Sequence, residues 1–303
     1  MKNNSIDIVM VTYNQEKCIA KAIESVIVQS KWSSCKLIIG DDCSTDGTLL
    51  VCKGYAEKFP DNIILLESDV NRGLINNYLN CFNYCTSDYI AILEGDDYWI
   101  DEFKLEKQIN ILENDSEVGL IHTSYETLND VNNVLIAVPE KIFTKMAEFQ
   151  GYIYNDIVNQ NFICAVTVMF RKKILDQIDF KIFEKNNCNT IDLIIYLQCA
   201  INFKIAFLPD VTSVYRVSPH SLSNNVNFKK IEKFSDTKIF IKEYFLKQYN
   251  PDRISFSMIN RKANVFLFYK ALISKDLSNS CKYLKKLSLQ GIFGCFSDWK
   301  IYN

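Results

Sequence analysis

The sequence predicts an α/β fold: a Rossmann-like, mostly parallel sheet flanked by helices, with a helical appendage at the C-terminus. Three observations predict it. Short apolar runs alternate with segments of helical spacing through residues 5–115, the pattern of parallel α/β units. Each of these runs ends in polar or acidic residues, as strands do when they deliver a ligand site to one rim of a sheet. Beyond Phe228 the spacing is helical throughout. The expected organisation is a domain over residues 1–225, with a nucleotide-binding half (1–115) and an acceptor half (116–225), followed by a basic helical region over 226–303.

Ile6 to Val11 is an apolar run with Asp7 as its one polar position, the mark of a strand buried on both faces. Ile19, Ala22, Ile23, Val26 and Ile27 follow at helical spacing, and Lys36 to Gly40 is a second strand ending at Asp41 and Asp42. Ser44 to Gly47 is a turn that opens the next helix. A strand at Ile63–Leu66, a helix from about Gly73 to Cys85 and a strand at Tyr89–Leu93 come next. Leu105, Ile109 and Leu112 mark an amphipathic helix with Asp101 as its N-cap. The alternation then weakens into strands at Val118–Thr123 and Ala165–Phe170, separated by a variable stretch. Ile191–Ala200 reads as a helix, Lys204–Leu208 and Val211–Val217 as strands. In the last region Phe240, Ile241, Tyr244 and Phe245 share one helix face. Thr12–Asn14, Asp41 and Asp42, Asn71–Gly73, and Asp96 and Asp97 all fall at strand ends, so they are expected to converge.

The overall charge of −2 hides an asymmetry, because residues 229–303 hold 15 Lys and Arg against 6 Asp and Glu, leaving an acidic body. Nucleic acid is not an expected partner of that body. The basic tail is either an ordinary solvated face, an inner-leaflet contact through anionic headgroups, or a homo-oligomer surface through its aromatic helices. Eleven cysteines without CxxC pairs, many inside apolar patterns, point to free thiols in a reducing compartment rather than disulfides or zinc. No run of eighteen apolar residues occurs, and Ile6–Val11 is too short for a signal h-region, so the expectation is a cytoplasmic protein, peripheral at most on the inner membrane face.

The acidic step Glu94, Gly95, Asp96, Asp97 directly follows an apolar strand. Adjacent carboxylates repel unless something neutralises them, and Mg²⁺ or Mn²⁺ prefers one or two carboxylates plus phosphate oxygens. The step therefore reads as a site for a metal-bridged nucleoside diphosphate; the alternative is a solvated acidic turn with Gly95 as its turn residue.

Six segments occur together and in order: VMVTYNQE (Val9–Glu16), IGDDCSTDGT (Ile39–Thr48), NRGLINN (Asn71–Asn77), YIAILEGDDYW (Tyr89–Trp99), TIDL (Thr190–Leu193) and VYRVSPHSLS (Val214–Ser223). In this the chain resembles the family 2 glycosyltransferases, inverting enzymes of GT-A fold, and within them the bacterial surface-polysaccharide type. The resemblance implies transfer of a sugar from a nucleotide-diphosphate donor, a UDP-sugar, to a hydroxyl of a glycan or lipid-linked acceptor, with Mn²⁺ or Mg²⁺ as cofactor.

Carried over by position, it sets Thr12, Tyr13 and Glu16 beside the nucleotide, with Tyr13 offering a stacking face. Asp42 would accept from an imide N–H, which uracil presents and cytosine lacks, and Arg72 and Asn77 would lie near ribose and phosphate. Asp96 and Asp97 match the ribose and metal ligands, with Asp97 the direct one, while Glu94 stands where the family has its first DxD acid and is expected to be structural. Asp192 matches the catalytic base; as an acid at a helix start it would also suit the dipole. Arg216 and His220 fall in a segment similar to one that folds over the diphosphate, where His220 would join the metal or bind phosphate, or else be a surface-loop residue. Nucleotidyl transfer is the second enzyme reading, although Thr12–Lys17 contains no Gly for a phosphate loop; a catalytically inactive sugar-nucleotide or glycan-binding module is the third.

Overall fold

The computed structural model describes residues 5–218 and 227–287, which fall into two compact units, one reaching Val217 and one beginning at Ser218. The first unit is built on one nine-stranded sheet. Its strands are β1 (Ile6–Thr12), β2 (Cys35–Asp41), β3 (Ile63–Glu67), β4 (Tyr89–Ile92), β5 (Tyr98–Trp99), β6 (Val118–Asn129), β7 (Val134–Ala137), β8 (Met169–Arg171) and β9 (Lys204–Val217). Eight run in the order β3-β2-β1-β4-β8-β6-β9-β5, and β7 pairs with β6 beside this path. The β3-β2-β1-β4 half is parallel, as expected. Antiparallel pairing enters at β4–β8, β8–β6 and β9–β5, while β6 and β9 run parallel. Helices α1 (Ile19–Ile27), α2 (Thr48–Lys58), α3 (Leu74–Phe82), α4 (Lys104–Asn114), α5 (Glu140–Glu148), α6 (Tyr154–Asn159), α7 (Phe180–Lys185) and α8 (Asp192–Asn202) complete the unit.

Every residue of β1 is buried, so the strand lies between helix layers. The acid within it, Asp7, accepts from the Thr86 and Ser87 backbone N–H groups at 2.6 and 2.7 Å and from Ser87 Oγ at 2.9 Å. A buried carboxylate is thereby fully hydrogen-bonded and ties the turn before β4 to β1. Gly40 in β2 is required by packing: a Cβ there would lie 2.3 Å from Asn77 Oδ1 and 2.6 Å from Cys81 Sγ, both on α3.

Four sequence expectations are corrected. Ala165–Phe170 is not one strand: Ala165–Thr167 is a 3₁₀ turn and β8 starts at Met169. Thr167 Oγ1 donates to the Cys164 carbonyl at 2.7 Å, and the turn frees the Thr167 carbonyl to accept from Lys104 Nζ (2.9 Å) and Gln108 Nε2 (2.8 Å). Lys204–Leu208 and Val211–Val217 are one strand, β9, whose register against β6 slips between Thr123 and Ser124, where Pro209 and Asp210 bulge. Asp101 is not the N-cap of α4; that position is Phe103, and Asp101 instead caps the preceding turn by accepting from Phe103 N at 2.9 Å. The strand expected at Val118–Thr123 does not stop there but runs to Asn129 as β6, and the variable stretch beyond it holds β7, α5 and α6.

His122 sits in β6 between Phe162 and Phe207, fully buried, with neither ring nitrogen hydrogen-bonded. Burial, with buried Lys104 nearby, holds its imidazole down to about 3. Its folded value is depressed, so the unfolded chain takes up a proton that the folded one refuses: stability should fall from pH 6.5 toward 3, by about 1.4 kcal/mol per pH unit at most. His122→Leu should flatten that slope in urea titrations at stepped pH and cost little at pH 7, because two unsatisfied polar atoms leave the core.

The second unit comprises α9 (Phe228–Gln248), α10 (Phe256–Ile273) and α11 (Leu277–Lys286). Asn227 and Asp276 cap α9 and α11 through Lys229 N and Asn279 N. Ile241 and Phe245 of the expected apolar face are buried, and Tyr283 of α11 donates to Glu232 of α9. Among the described residues no helix is long and apolar enough to cross a membrane, and no cysteine is in a disulfide.

Candidate active site

The C-terminal ends of β1, β2 and β4 meet at one rim. The Asp42 backbone N–H donates to the Thr12 carbonyl at 3.0 Å, and Gly95 N donates to the Val11 carbonyl at 3.0 Å, so the three strand ends are stitched side by side. Loop residues finish the joint. Asn14, at φ 54°, turns its Oδ1 onto Thr45 N (2.7 Å), Gln15 N reaches Thr48 Oγ1 (2.7 Å), and Glu16 Oε2 accepts from Gly47 N (3.1 Å). Thr12 is buried and Tyr13 is 46% exposed, its ring open to the rim. Glu16 is thus a loop brace as well as a rim residue.

Asp42 accepts from Arg72 N at 2.7 Å and Gly73 N at 3.0 Å, which presents the NRG turn to the rim; the Arg72 guanidinium rests on Ser68 Oγ at 2.9 Å. Asn77 is turned the other way: it is buried and donates to the Gly40 carbonyl at 2.8 Å, so it fixes α3 to β2. Asp41 holds Ser44 N at 2.9 Å, while its second oxygen is buried with no partner.

At the centre lies the acidic turn after β4, in which carboxylate oxygens of Glu94, Asp96 and Asp97 all fall within 4.8 Å of one another. Gly95 is what lets the turn lie there. A Cβ on it would meet Gln15 Oε1 at 2.5 Å, Ile19 Cδ1 at 2.8 Å and Thr12 Cβ at 3.0 Å, so its role is close approach to β1. Arg216 in β9 clamps the far side. Its backbone N–H donates to Asp97 Oδ1 (2.7 Å), its Nε to the Asp96 carbonyl (2.9 Å), and its guanidinium pairs with Asp130 (2.7 Å).

Burial pushes Glu94 up to about 8, reinforced by the charges of Asp96 and Asp192. Burial likewise raises Asp96, and raises Asp97 well above the carboxylate range with Asp96 and Glu94 adding repulsion. One guanidinium does not offset three crowded acids. A divalent cation fits this donor set: the atoms are hard oxygens, close together and short of positive charge.

Asp192 opens α8 and accepts from Thr190 Oγ1. Its charge adds to the rise of Glu94, Tyr78, Tyr196 and Cys164, so it stands within electrostatic reach of the acidic turn. Glu94, read from sequence as structural, does accept from Tyr78 Oη at 3.1 Å, yet its carboxylate also belongs to the cluster. Thr12, Tyr13, Asp42, Asp96, Asp97, Asp192 and Arg216 are therefore gathered, Arg72 and Glu16 stand at the edge, and Asn77 faces inward. His220 lies outside the described residues. Sequence reasoning missed Gln15, Tyr78, Cys164 and Tyr196, the last with a buried hydroxyl that has no partner. Nothing in a single sequence separates those tyrosines from ordinary core residues; Gln15 was within reach, since it lies in the short loop after the first strand.

The family model of Glycosyl transferase family 2 matches residues 7–179, more than half of the chain. The chain belongs to glycosyl transferase family 2. The first family relatives include an uncharacterized protein of Mycobacterium tuberculosis, 26% identical over 234 residues that cover 77% of this chain and 64% of that one; the chain spans just under two thirds of its length. The UDP-Glc:alpha-D-GlcNAc-diphosphoundecaprenol beta-1,3-glucosyltransferase WfgD of Escherichia coli is 26% identical over 235 residues, covering 77% of this chain and 85% of WfgD. Among solved structures, S. aureus TarS 1–349 in complex with UDP-GlcNAc superposes with TM-score 0.61 at 16% identity, over 94% of this chain and 77% of TarS 1–349. The mannosyltransferase PcManGT from Pyrobaculum calidifontis, in complex with GDP-Man and Mn²⁺, superposes with TM-score 0.59 at 13% identity, over 98% and 79%. The fold of this family 2 glycosyltransferase is thus GT-A, with its sheet flanked by helices.

Proposed function

We propose that this chain is an inverting glycosyltransferase that moves a sugar from a UDP-sugar to a hydroxyl of a lipid-linked or glycan acceptor in bacterial surface-polysaccharide synthesis. The observation that carries the reading is the three-carboxylate turn at the rim, with Asp192 within electrostatic reach of it. Family membership, the UDP and UDP-GlcNAc bound to TarS, and the acceptor in WfgD's name support donor and acceptor class.

In this reading Tyr13 stacks on the base, and Asp42, pre-oriented by Arg72 N and Gly73 N, accepts from the imide N–H of uracil. Asp96 and Asp97 would hold Mn²⁺ or Mg²⁺, which when bound neutralises charge on the departing diphosphate. Arg216 keeps the turn in place through its bonds to the Asp97 carboxylate and the Asp96 backbone carbonyl, and is itself held by Asp130. Asp192 takes the proton of the acceptor hydroxyl as its oxygen bonds to the anomeric carbon; the bond to the diphosphate oxygen breaks, and the nucleoside diphosphate leaves with the electron pair. One displacement on the face opposite the leaving group inverts the anomeric centre. His220 is assigned to the phosphates or the metal, and residues 226–303 to a basic helical region.

A thermal-shift screen of nucleotide sugars with and without Mn²⁺ tests the reading. One UDP-sugar should raise Tm by several degrees only when Mn²⁺ is present, since a ligand of the folded state at about 100 Kd adds about 2.7 kcal/mol. Equal shifts with EDTA would remove the metal, and release of pyrophosphate from a nucleoside triphosphate and a sugar phosphate would favour nucleotidyl transfer.

A further inference from the structure

Residues 126–137 form a β-hairpin within the sheet, in which β7 turns back and pairs with the last four residues of β6. The turn is well made: Asn133, at φ 55°, donates its N–H to the Asn129 carbonyl at 2.8 Å, and Asn129 and Asn132 side chains accept from Val131 N and Val134 N. Its surface is out of character for a solvated ribbon. Val131 is 77% exposed, and Val134, Leu135 and Ile136 are 46%, 50% and 51% exposed. No other six consecutive described residues expose so many large apolar side chains.

We infer that this hairpin is a membrane-docking tip, which dips into the interfacial layer of a lipid bilayer and sets the acidic rim over it. The inference rests on the reading of a lipid-linked acceptor. Strand alternation puts Val134 and Ile136 on one face of β7 and Leu135 on the other, with Val131 at the bend. A second protein strand added to the edge of β7 would pair its backbone and leave both faces in water. A fluid apolar phase covers both faces and the bend together. The polar Asn132 and Asn133 at the tip limit the depth to the headgroup and upper acyl layer, which agrees with the absence of a crossing helix among the described residues.

The hairpin is also joined to the rim. Asp130, in its turn, donates its N–H to the Val217 carbonyl at 3.1 Å and pairs with the Arg216 guanidinium, and Arg216 N holds Asp97. A membrane contact there brings the bilayer surface near the turn that carries Asp97. Residues 125–140 contain no Lys or Arg, so this docking is driven by apolar burial and not by attraction to anionic headgroups. That separates it from any contribution of the basic tail.

Flotation of the full chain with vesicles of phosphatidylcholine alone, at low salt and at 0.5 M salt, is the test. Wild type should float at both salts, and Val131→Asp with Ile136→Asp should cut the floating fraction about tenfold or more, because two exposed apolar groups become charges at the interface. Both sites are exposed, and circular dichroism checks that the pair folds as wild type. Failure of wild type to float on neutral vesicles, loss of flotation in salt, or equal flotation of the double variant would each overturn the inference. So would a shift from dimer to monomer in sedimentation, which would mark the hairpin as a contact between two copies. Donor binding and hydrolysis without vesicles should be the same for both proteins; if neither binds a nucleotide sugar, the functional reading fails while flotation still judges the hairpin.

Discussion

Asp97→Asn should lower kcat/KM for sugar transfer by about a thousandfold, roughly 4 kcal/mol of transition-state stabilisation, with the fold unchanged. The substitution keeps the shape of the side chain and its acceptor toward Arg216 N, so the clamp at 2.7 Å survives. What it removes is one charge from a set of three whose oxygens lie within 4.8 Å of one another. Loss of that charge weakens any cation held there, and with it the neutralisation of the leaving diphosphate. Mn²⁺-dependent stabilisation by the donor should vanish in parallel. Because burial and two neighbouring acids raise Asp97, the variant without metal should be as stable as wild type or more so, as one buried charge disappears. A variant that retains both activity and Mn²⁺-dependent donor binding would remove the metal from this turn.

Asp192→Asn should reduce kcat by about 10² to 10⁴, while KM for the donor and its thermal shift stay near wild type. The split follows from role. Asp192 opens α8 and in this reading serves the acceptor hydroxyl and not the nucleotide, so its loss leaves donor binding alone and removes the acceptor of the proton. Asn is a good residue at helix starts and can still take the Thr190 hydroxyl, so a purely local role for Asp192 would leave kcat unchanged. An unchanged kcat would return the base to another group, with Glu94 the nearest by charge.

Much of the nucleotide half was legible because its signals are local. The run Ile6–Val11 is apolar at every position but Asp7, and only a strand covered on both faces tolerates that. The helix Ile19–Ile27 shows its buried face in the spacing of Ile19, Ala22, Ile23 and Val26. Those periods follow from backbone geometry and need no partner to be read. The second half was harder. A 3₁₀ turn at Ala165–Thr167 and the bulge at Pro209 both interrupt a period, and each exists for a contact elsewhere: the first for Lys104 and Gln108, the second for the register of β6 with β9.

The order of strands and helices as far as β4, the acidic step at a strand end and the family were all present in the amino-acid sequence, because hydrophobic period and motif spacing are properties of neighbouring residues. Other features depended on the fold. Gly95 reads as a turn residue in the chain, and it is the closeness of Gln15, Ile19 and Thr12 that makes it a point of contact. Glu94 joins Asp96 and Asp97 in one cluster, and the charge of Asp192 reaches Glu94 from a helix about a hundred residues away. Arg216 finds Asp130 across 86 residues because β6 and β9 run side by side. Such pairings carry no local period. They arise when long-range strand register places distant side chains at one rim, and that register is a property of the packed sheet.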